Sequence, residues 1–269
     1  MTGHLSELVI GIKGAGEMAS GIAWRLFQSG FKRIFMMEIP KPVAVRRQVS
    51  FCEALYDGSF YVEGVEARAT ESNNDFEAIW GGNAIAVLVD PGWEAAGKRH
   101  PHVMIDAIIA KKNLGSHMDE APLVIGLGPG FNAGENVHMV IETNRGHNLG
   151  KIILKGPAEK NTGTPGDIGG FTSERVLRTP CNGEFTSSLD IGAIVHKNDV
   201  IGQVNHRMIH AQIDGVLRGL IRSNTQVSGG LKIGDIDPRG RKEYCNTISE
   251  KARAVGGSVL EAILRKYNC

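Results

Sequence analysis

The sequence predicts an α/β protein in two parts, a parallel-sheet domain over residues 1–160 and a small all-β domain over residues 171–240. Three observations lead there. Apolar runs of strand length alternate with helical segments through the first part, the order that builds parallel sheets. A linker-like run, GPAEKNTGTPGDIGG, then ends at Gly170. Beyond it the composition changes and the sequence repeats itself at an offset of 32 residues. Residues 245–269 read as a C-terminal helix that returns to the first domain.

Residues 8–13, LVIGIK, read as a buried first strand. Gly14-Ala15-Gly16-Glu17-Met18 follows, and a helix over residues 22–29 ends at Gly30. Residues 33–38, RIFMME, form a second strand that finishes in an acid. Strand, glycine turn, helix, strand, carboxylate is the order of a Rossmann-like, dinucleotide-binding domain. Gly14 permits the tight turn, and Gly16 lets backbone N–H groups approach a phosphate at the helix N-terminus. Glu38 stands near the spacing expected of an acid that holds ribose hydroxyls. The candidate cofactor-binding residues are therefore Gly14, Gly16, Glu17, Met18 and Glu38, joined by Gly128 and Gly130 from a second glycine turn. The cofactor this implies is NAD(P) or another nucleotide-type ligand. Glu17 departs from the pattern by placing a negative charge where an anion would approach.

Residues 42–55 look helical, with Pro42 in the first turn. Arg46 and Arg47 then lie on a solvated helix face, with contact to an anionic ligand as the alternative. A strand or hairpin over 60–70, a short helix over 75–80 and a buried strand over 84–89 follow. Asp90, after that strand, and Asp106, in the apolar segment 103–110, read first as turn formers or helix caps and second as site groups. Residues 123–127 and 137–141 are two further strands, and the second runs into Glu142, Arg145 and His147. Ligands of open α/β sheets bind at the carboxyl ends of strands. The catalytic candidates are thus His138, Glu142, Arg145 and His147. Arg145 would clamp a carboxylate or phosphate bidentately, and either histidine would transfer a proton. Plain turn residues are the competing reading for both histidines.

In the second part, ERVLRTPCNGEF (174–185) aligns with HRMIHAQIDGVL (206–217), and IVHKNDVIGQV (194–204) with QVSGGLKIGDI (226–236). Two β-rich copies with paired turn glycines suggest interlocking halves of a barrel-sandwich, and the pattern resembles biotinyl/lipoyl-type domains. Those carry a modified lysine between their halves. Asn205-His206-Arg207-Met208 offers none, so no lipoyl or biotin arm is expected. The segment Asp235 to Arg241 reads as a surface turn held by local Asp–Arg pairing, or as part of an interface. Residues 247–267 carry a capping signal at Thr247, Ser249 and Glu250, an apolar face at Val259, Ile263 and Leu264, and Gly256-Gly257 for close packing.

The formal net charge is +1, without a basic block, which argues against nucleic acid and anionic membrane as partners. No apolar stretch reaches membrane-spanning length, and no secretory leader is evident. Cys52, Cys181, Cys245 and Cys269 are scattered without metal-ligand spacing. A cytoplasmic protein with reduced thiols and no metal site is expected. Terminal Cys269 is a candidate for a reactive thiol.

The motifs GAGEMASGIAWRL, DAIIAKKN, APLVIGLGPGF, VIETNRGHNLG, VLRGLIR, GLKIGDIDPRG and TISEKARAVGG cover most of the chain. On them it resembles the YqeB-type family of selenium-dependent molybdenum hydroxylase accessory proteins. The resemblance implies a cytoplasmic maturation factor that handles the molybdenum cofactor or a nucleotide and has a molybdenum hydroxylase as client. It carries over no catalytic residues. The leading expectation is therefore an accessory factor binding a dinucleotide or related phosphate-bearing cofactor. The alternative is an NAD(P)-dependent oxidoreductase acting on an anionic small molecule. A purely structural protein is the third reading, and assembly into a homo-oligomer is left open.

Overall fold

The strand-forming runs are apolar on both faces, and this is what a central sheet covered on both sides requires. Ile10, Ile12, Phe35, Met36, Ala86, Val87, Val124 and Ile125 are all fully buried. The computed structural model describes residues 5–268, so Cys269 lies outside the described residues. The chain divides into two compact units. One comprises Met1–Pro42, Ser50–Asn161 and Ile248–Cys269; the other comprises Val43–Val49 and Thr162–Thr247.

The first unit carries β1 (Val9–Lys13), β2 (Arg33–Glu38), β3 (Ser59–Val62), β4 (Val65–Thr70), β5 (Ile85–Val89) and β6 (Val103–Asp106). It continues with β7 (Leu123–Leu127), β8 (Asn132–Ala133), β9 (Met139–Ile141), β10 (Ile152–Ile153) and β11 (Gly156–Pro157). Nine of these form one sheet in the order β10-β9-β7-β6-β1-β2-β5-β4-β3, while β8 pairs with β11. The inner strands run parallel. Both edge strands, β10 and β3, run antiparallel to their neighbours.

Helix α1 (Glu17–Gln28) joins β1 to β2, α2 (Ala54–Asp57) precedes β3, and α3 (Phe76–Gly81) and α4 (Glu94–Arg99) flank β5. The connections from β6 to β7 and from β7 to β9 carry no α-helix among the described residues, only the 3-10 turn Met118–Glu120. α5 (Glu250–Tyr267) packs on α1 at a glycine crossing. A Cβ at Gly21 would meet the Ala252 Cβ at 2.8 Å, and one at Gly256 would meet the Gly21 carbonyl oxygen at 3.1 Å. Ser249 caps α5 by accepting from the Ala252 N–H.

The second unit holds β12 (Val176–Arg178), β13 (Gly183–Thr186), β14 (Ile194–Val195), β15 (Val200–Val204), β16 (Arg207–His210), β17 (Gly215–Leu220), β18 (Thr225–Val227) and β19 (Lys232–Asp237). They form two four-stranded antiparallel sheets, ordered β12-β19-β17-β14 and β16-β15-β13-β18. Moving each of β12–β15 forward by 32 residues lands on β16–β19, and the same exchange converts the first sheet order into the second. Each sheet therefore draws two strands from each copy. Phe185, Ile201, Val204, Leu217, Ile233 and Ile236 fill their common core.

This architecture corrects the expected Rossmann-like parallel sheet with a barrel-sandwich. The large sheet is mixed, because a hairpin and a loop return add antiparallel strands at its edges and two crossovers lack helices. The small unit is a pair of open antiparallel sheets. Two local expectations also change. Residues 42–55 form no continuous helix but the 3-10 turns Arg47–Val49 and Phe51–Glu53 and the single turn of α2. Extended Ser50, at φ −126° and ψ 116°, interrupts them. Arg46 is not on a solvated face: it is buried, and its guanidinium donates to the carbonyls of Tyr244, Cys245 and Thr247.

The Asp235 to Arg241 segment is not a surface turn at its start either, because Asp235 and Asp237 are buried. Asp235 pairs with Arg175 and Arg218, and Asp237 with Arg218 and Arg239. Burial opposes ionisation of Asp235, but Lys232, Arg218 and Arg175 outweigh it and hold the carboxyl below its usual range.

Candidate functional site

The carboxyl ends of the parallel strands carry most of the candidate residues of the first unit. At the end of β1, Gly14 adopts φ +91°, a left-handed conformation suited to glycine, and its N–H bonds the Met37 carbonyl at 2.8 Å. Gly16 is the N-cap of α1 at φ −74° with no side-chain cap, and a Cβ there would meet nothing within 4 Å. No side chain caps the first turn of this helix, and an uncapped helix N-terminus leaves N–H groups that suit an anion. Glu17 occupies that first turn and, like Met18, is half-buried.

Glu38 ends β2 beside this turn. Its Oε1 accepts from the Ala15 N–H at 3.1 Å and its Oε2 from the Ile39 N–H at 2.7 Å. An ionised carboxylate has about four lone-pair directions, so two remain for a ligand. Burial raises the Glu38 pKa, against the lowering effect of the two N–H donors. Ser20 and the Ala15 carbonyl fasten the turn from below, through the Phe51 and Cys52 N–H groups at 2.7 and 2.9 Å.

The segment after β9 is built around one acid. Glu142 is buried; Oε1 accepts from the N–H groups of Thr143 and Asn144, and Oε2 from that of Glu159, each at 2.7 Å. Asn144 and Asn148 donate in turn to the Glu159 carboxylate. Glu142 therefore ties the loop to itself. Gly128 and Gly130 have φ +72° and +107°, and their smallness is accounted for by packing. A Cβ at Gly128 would strike the Thr143 side chain, and one at Gly130 the Lys112 backbone at 2.6 Å.

The four catalytic candidates are not brought together. Arg145 is paired with Glu250 at the start of α5, and His147 is exposed on the loop. His138 precedes β9, so it lies at the amino end of the strand whose carboxyl end delivers Glu142. Four residues of extended chain span roughly 13 Å. The His138 Nδ1 accepts from the Val124 N–H at 3.0 Å, and burial lowers its pKa, with Lys266 adding to the effect. Asp90 acts as the cap it resembled, accepting from the N–H groups of Glu94 and Ala95.

A cluster of which the sequence reading weighs only Asp106 sits at the ends of β1 and β6. Lys13, only 1% exposed, donates to Ser116 Oγ at 2.7 Å and to Glu120 Oε1 at 2.6 Å. The Ser116 hydroxyl donates to Asp106 Oδ2 at 2.7 Å, and Asp106 Oδ1 accepts from the Ile108 N–H at 3.2 Å. Burial raises the Asp106 pKa, partly offset by Ser116, Ile108 and Lys13. The legible signal was the pair of strands LVIGIK and VMID, each ending in a charge of opposite sign; Lys13 and Asp106 are in fact register partners. Among the described residues no group of three His, Cys, Asp or Glu side chains is arranged to hold a metal, and no helix is long and apolar enough to cross a membrane.

No family model matches the chain. Among solved structures, an aspartoacylase family protein from Mesorhizobium loti is 14% identical, with a TM-score of 0.24 over 53% of this chain and 60% of that one. The ectoine utilization protein EutE from Ruegeria pomeroyi, in its apo form, is 10% identical, with a TM-score of 0.26 over 85% of each chain. Likenesses this distant carry no argument about fold or chemistry. Sequence similarity is far stronger: "Uncharacterized protein YqeB" of Escherichia coli K12 is 46% identical over 263 residues, 98% of this chain. That match covers 48% of the relative, so the chain spans about half its length. Across nearly all of its own length, the chain is similar to YqeB.

Proposed function

We propose that the chain binds a phosphate-bearing cofactor of the dinucleotide class at the carboxyl end of its large sheet and serves in the maturation of a molybdenum hydroxylase. The observation that carries the binding half is the uncapped, half-exposed α1 N-terminus at Gly16, flanked by Glu38. Phosphate oxygens would accept from the first-turn N–H groups, and the free lone pairs of Glu38 would accept from ribose hydroxyls. The maturation half rests on the motif resemblance, to which the similarity to YqeB adds a relative but no role. Of the molybdenum cofactor, these residues fit a phosphate-bearing organic part, and they offer no converging ligand set for the metal.

A thermal-shift series with NAD, NADP, ADP and inorganic pyrophosphate tests the binding. A ligand held only by the folded state, at a hundred times its Kd, stabilises by about 2.7 kcal/mol, a shift of roughly 5–10 °C for a chain of this size. No shift with any of them removes the proposal. For the client, a host lacking the protein should make hydroxylase polypeptide in normal amount but with reduced activity.

The oxidoreductase reading finds no comparable support. His138 lies at the opposite end of the strand, Arg145 is paired to Glu250, and His147 is exposed on the loop.

A further inference from the structure

The Lys13 cluster contains one atom that its neighbours leave unsatisfied. Glu120 Oε1 accepts from Lys13, but Oε2 is buried with no hydrogen-bond partner. Leaving a buried acceptor unmade is costly, and native structures tolerate few such atoms. Lys13 bonds Glu120 directly and reaches Asp106 through Ser116, so one lysine serves two acids, and the exposed His117 ring stands 3.9 Å from Glu120 Oε1. Another cation placed here would be repelled by Lys13, whereas a neutral N–H donor would not.

An aromatic ring stands beside it. The Trp93 ring centre lies 5.7 Å from Lys13 Nζ, and Trp93 holds φ +59°, a left-handed conformation that a bulky residue rarely adopts. The Lys13, Ser116 and Asp106 bonds fix Glu120 in place, which makes Oε2 a pre-organised acceptor. Its turn is at the surface: the side chains of His117 and Asp119 are 62% and 98% exposed.

From these observations we infer that Glu120 recognises a flat heterocycle whose edge carries neighbouring N–H donors, an amino-oxo-pyrimidine of the guanine type, lying against Trp93. The inference rests on the nucleotide-ligand reading and names the part of the ligand which that reading leaves open. Glu120 accepts the ring N–H and the adjacent amino group, while Lys13 holds the carboxylate in register.

The test uses nucleosides, which lack phosphate, in fluorescence and melting titrations of the full chain. Guanosine should bind about tenfold more tightly than inosine, which lacks the 2-amino group, because a hydrogen bond to a charged acceptor is lost. Adenosine, without the ring N–H, should bind weakest. Glu120→Gln should abolish the preference, and Trp93→Phe should weaken guanosine binding while leaving the protein folded. The guanosine–inosine comparison on the native protein needs no variant, so a misfolded substitution does not blunt it. Equal responses to the three nucleosides, or none, overturn the inference and leave a buried water as the partner of Oε2. Inorganic pyrophosphate, run in parallel, reports on the phosphate site alone. Loss of its response with nucleoside discrimination intact would remove the phosphate reading and keep this one.

Discussion

Glu38 Oε1 accepts a 3.1 Å hydrogen bond from the Ala15 N–H, so the acid that ends β2 is tied to the turn that ends β1. The same carboxylate that would hold a ribose also helps shape the turn that would hold a phosphate. Its protonation is linked to folding. Burial raises its folded pKa above the usual 4.5, so the neutral form is the one the fold favours. Stability from this group is therefore full below 4.5 and is lost as pH rises through the raised value. Glu38→Gln, neutral throughout, should gain stability relative to the native protein across that interval. Urea midpoints measured at several pH values check it, and a constant difference would refute the linkage.

Gly14 and Gly16 should respond oppositely to alanine. Gly14→Ala forces a side chain into φ +91° and should cost about 1–2 kcal/mol. Gly16→Ala, at φ −74° and facing open space, should stay within roughly 0.5 kcal/mol of the native protein. Chemical denaturation of the two variants side by side decides it.

Glu142→Ala removes the acceptor of three buried or half-buried N–H groups, and a loss of about 3–5 kcal/mol is expected. The damage should be local, seen as faster proteolysis between residues 143 and 158. Arg145→Ala, which breaks only a part-exposed pair with Glu250, should cost about 1 kcal/mol or less.

The second unit should be acid-labile through Asp235. Its folded pKa is depressed, so its contribution is present above the ordinary 3.8 and disappears as pH falls through the lower folded value. Asp235→Asn should flatten that dependence. It should also cost about 3–5 kcal/mol at neutral pH by removing the buried charge that Arg175 and Arg218 share, although Arg218 keeps its pair with Asp237. Amide hydrogen exchange over residues 176–237 measures both effects.

Individual strands were readable because their signal is local. RIFMME, AIAVLV and LVIGL are short, apolar and bounded by turn residues, and they became β2, β5 and β7. Sheet closure was not, because edge direction depends on pairing between distant segments. Residues 152–153 are only two apolar positions, yet they add an antiparallel edge to β9. The helix expected over residues 42–55 failed because Arg46 exchanges a solvated face for carbonyls about 200 positions away. The glycine turn and its acid were legible from spacing alone. Of the Lys13 cluster only the strand-end pair Lys13 and Asp106 had a local signal, since Ser116 and Glu120 reach it from a loop 103 and 107 residues later in the chain. His138 was misplaced for a simpler reason: a residue before a parallel strand and one after it lie at opposite ends of the sheet.

The most direct test of the phosphate-binding account is isothermal titration of pyrophosphate and NAD into the native protein and Gly16→Asp. Aspartate is a favoured N-cap, so the variant should be at least as stable as the native chain while its carboxylate occupies the anion's place. The account predicts binding to the native protein and at least a tenfold loss in the variant. Equal affinity in both, or no binding to a well-folded native protein, would contradict it.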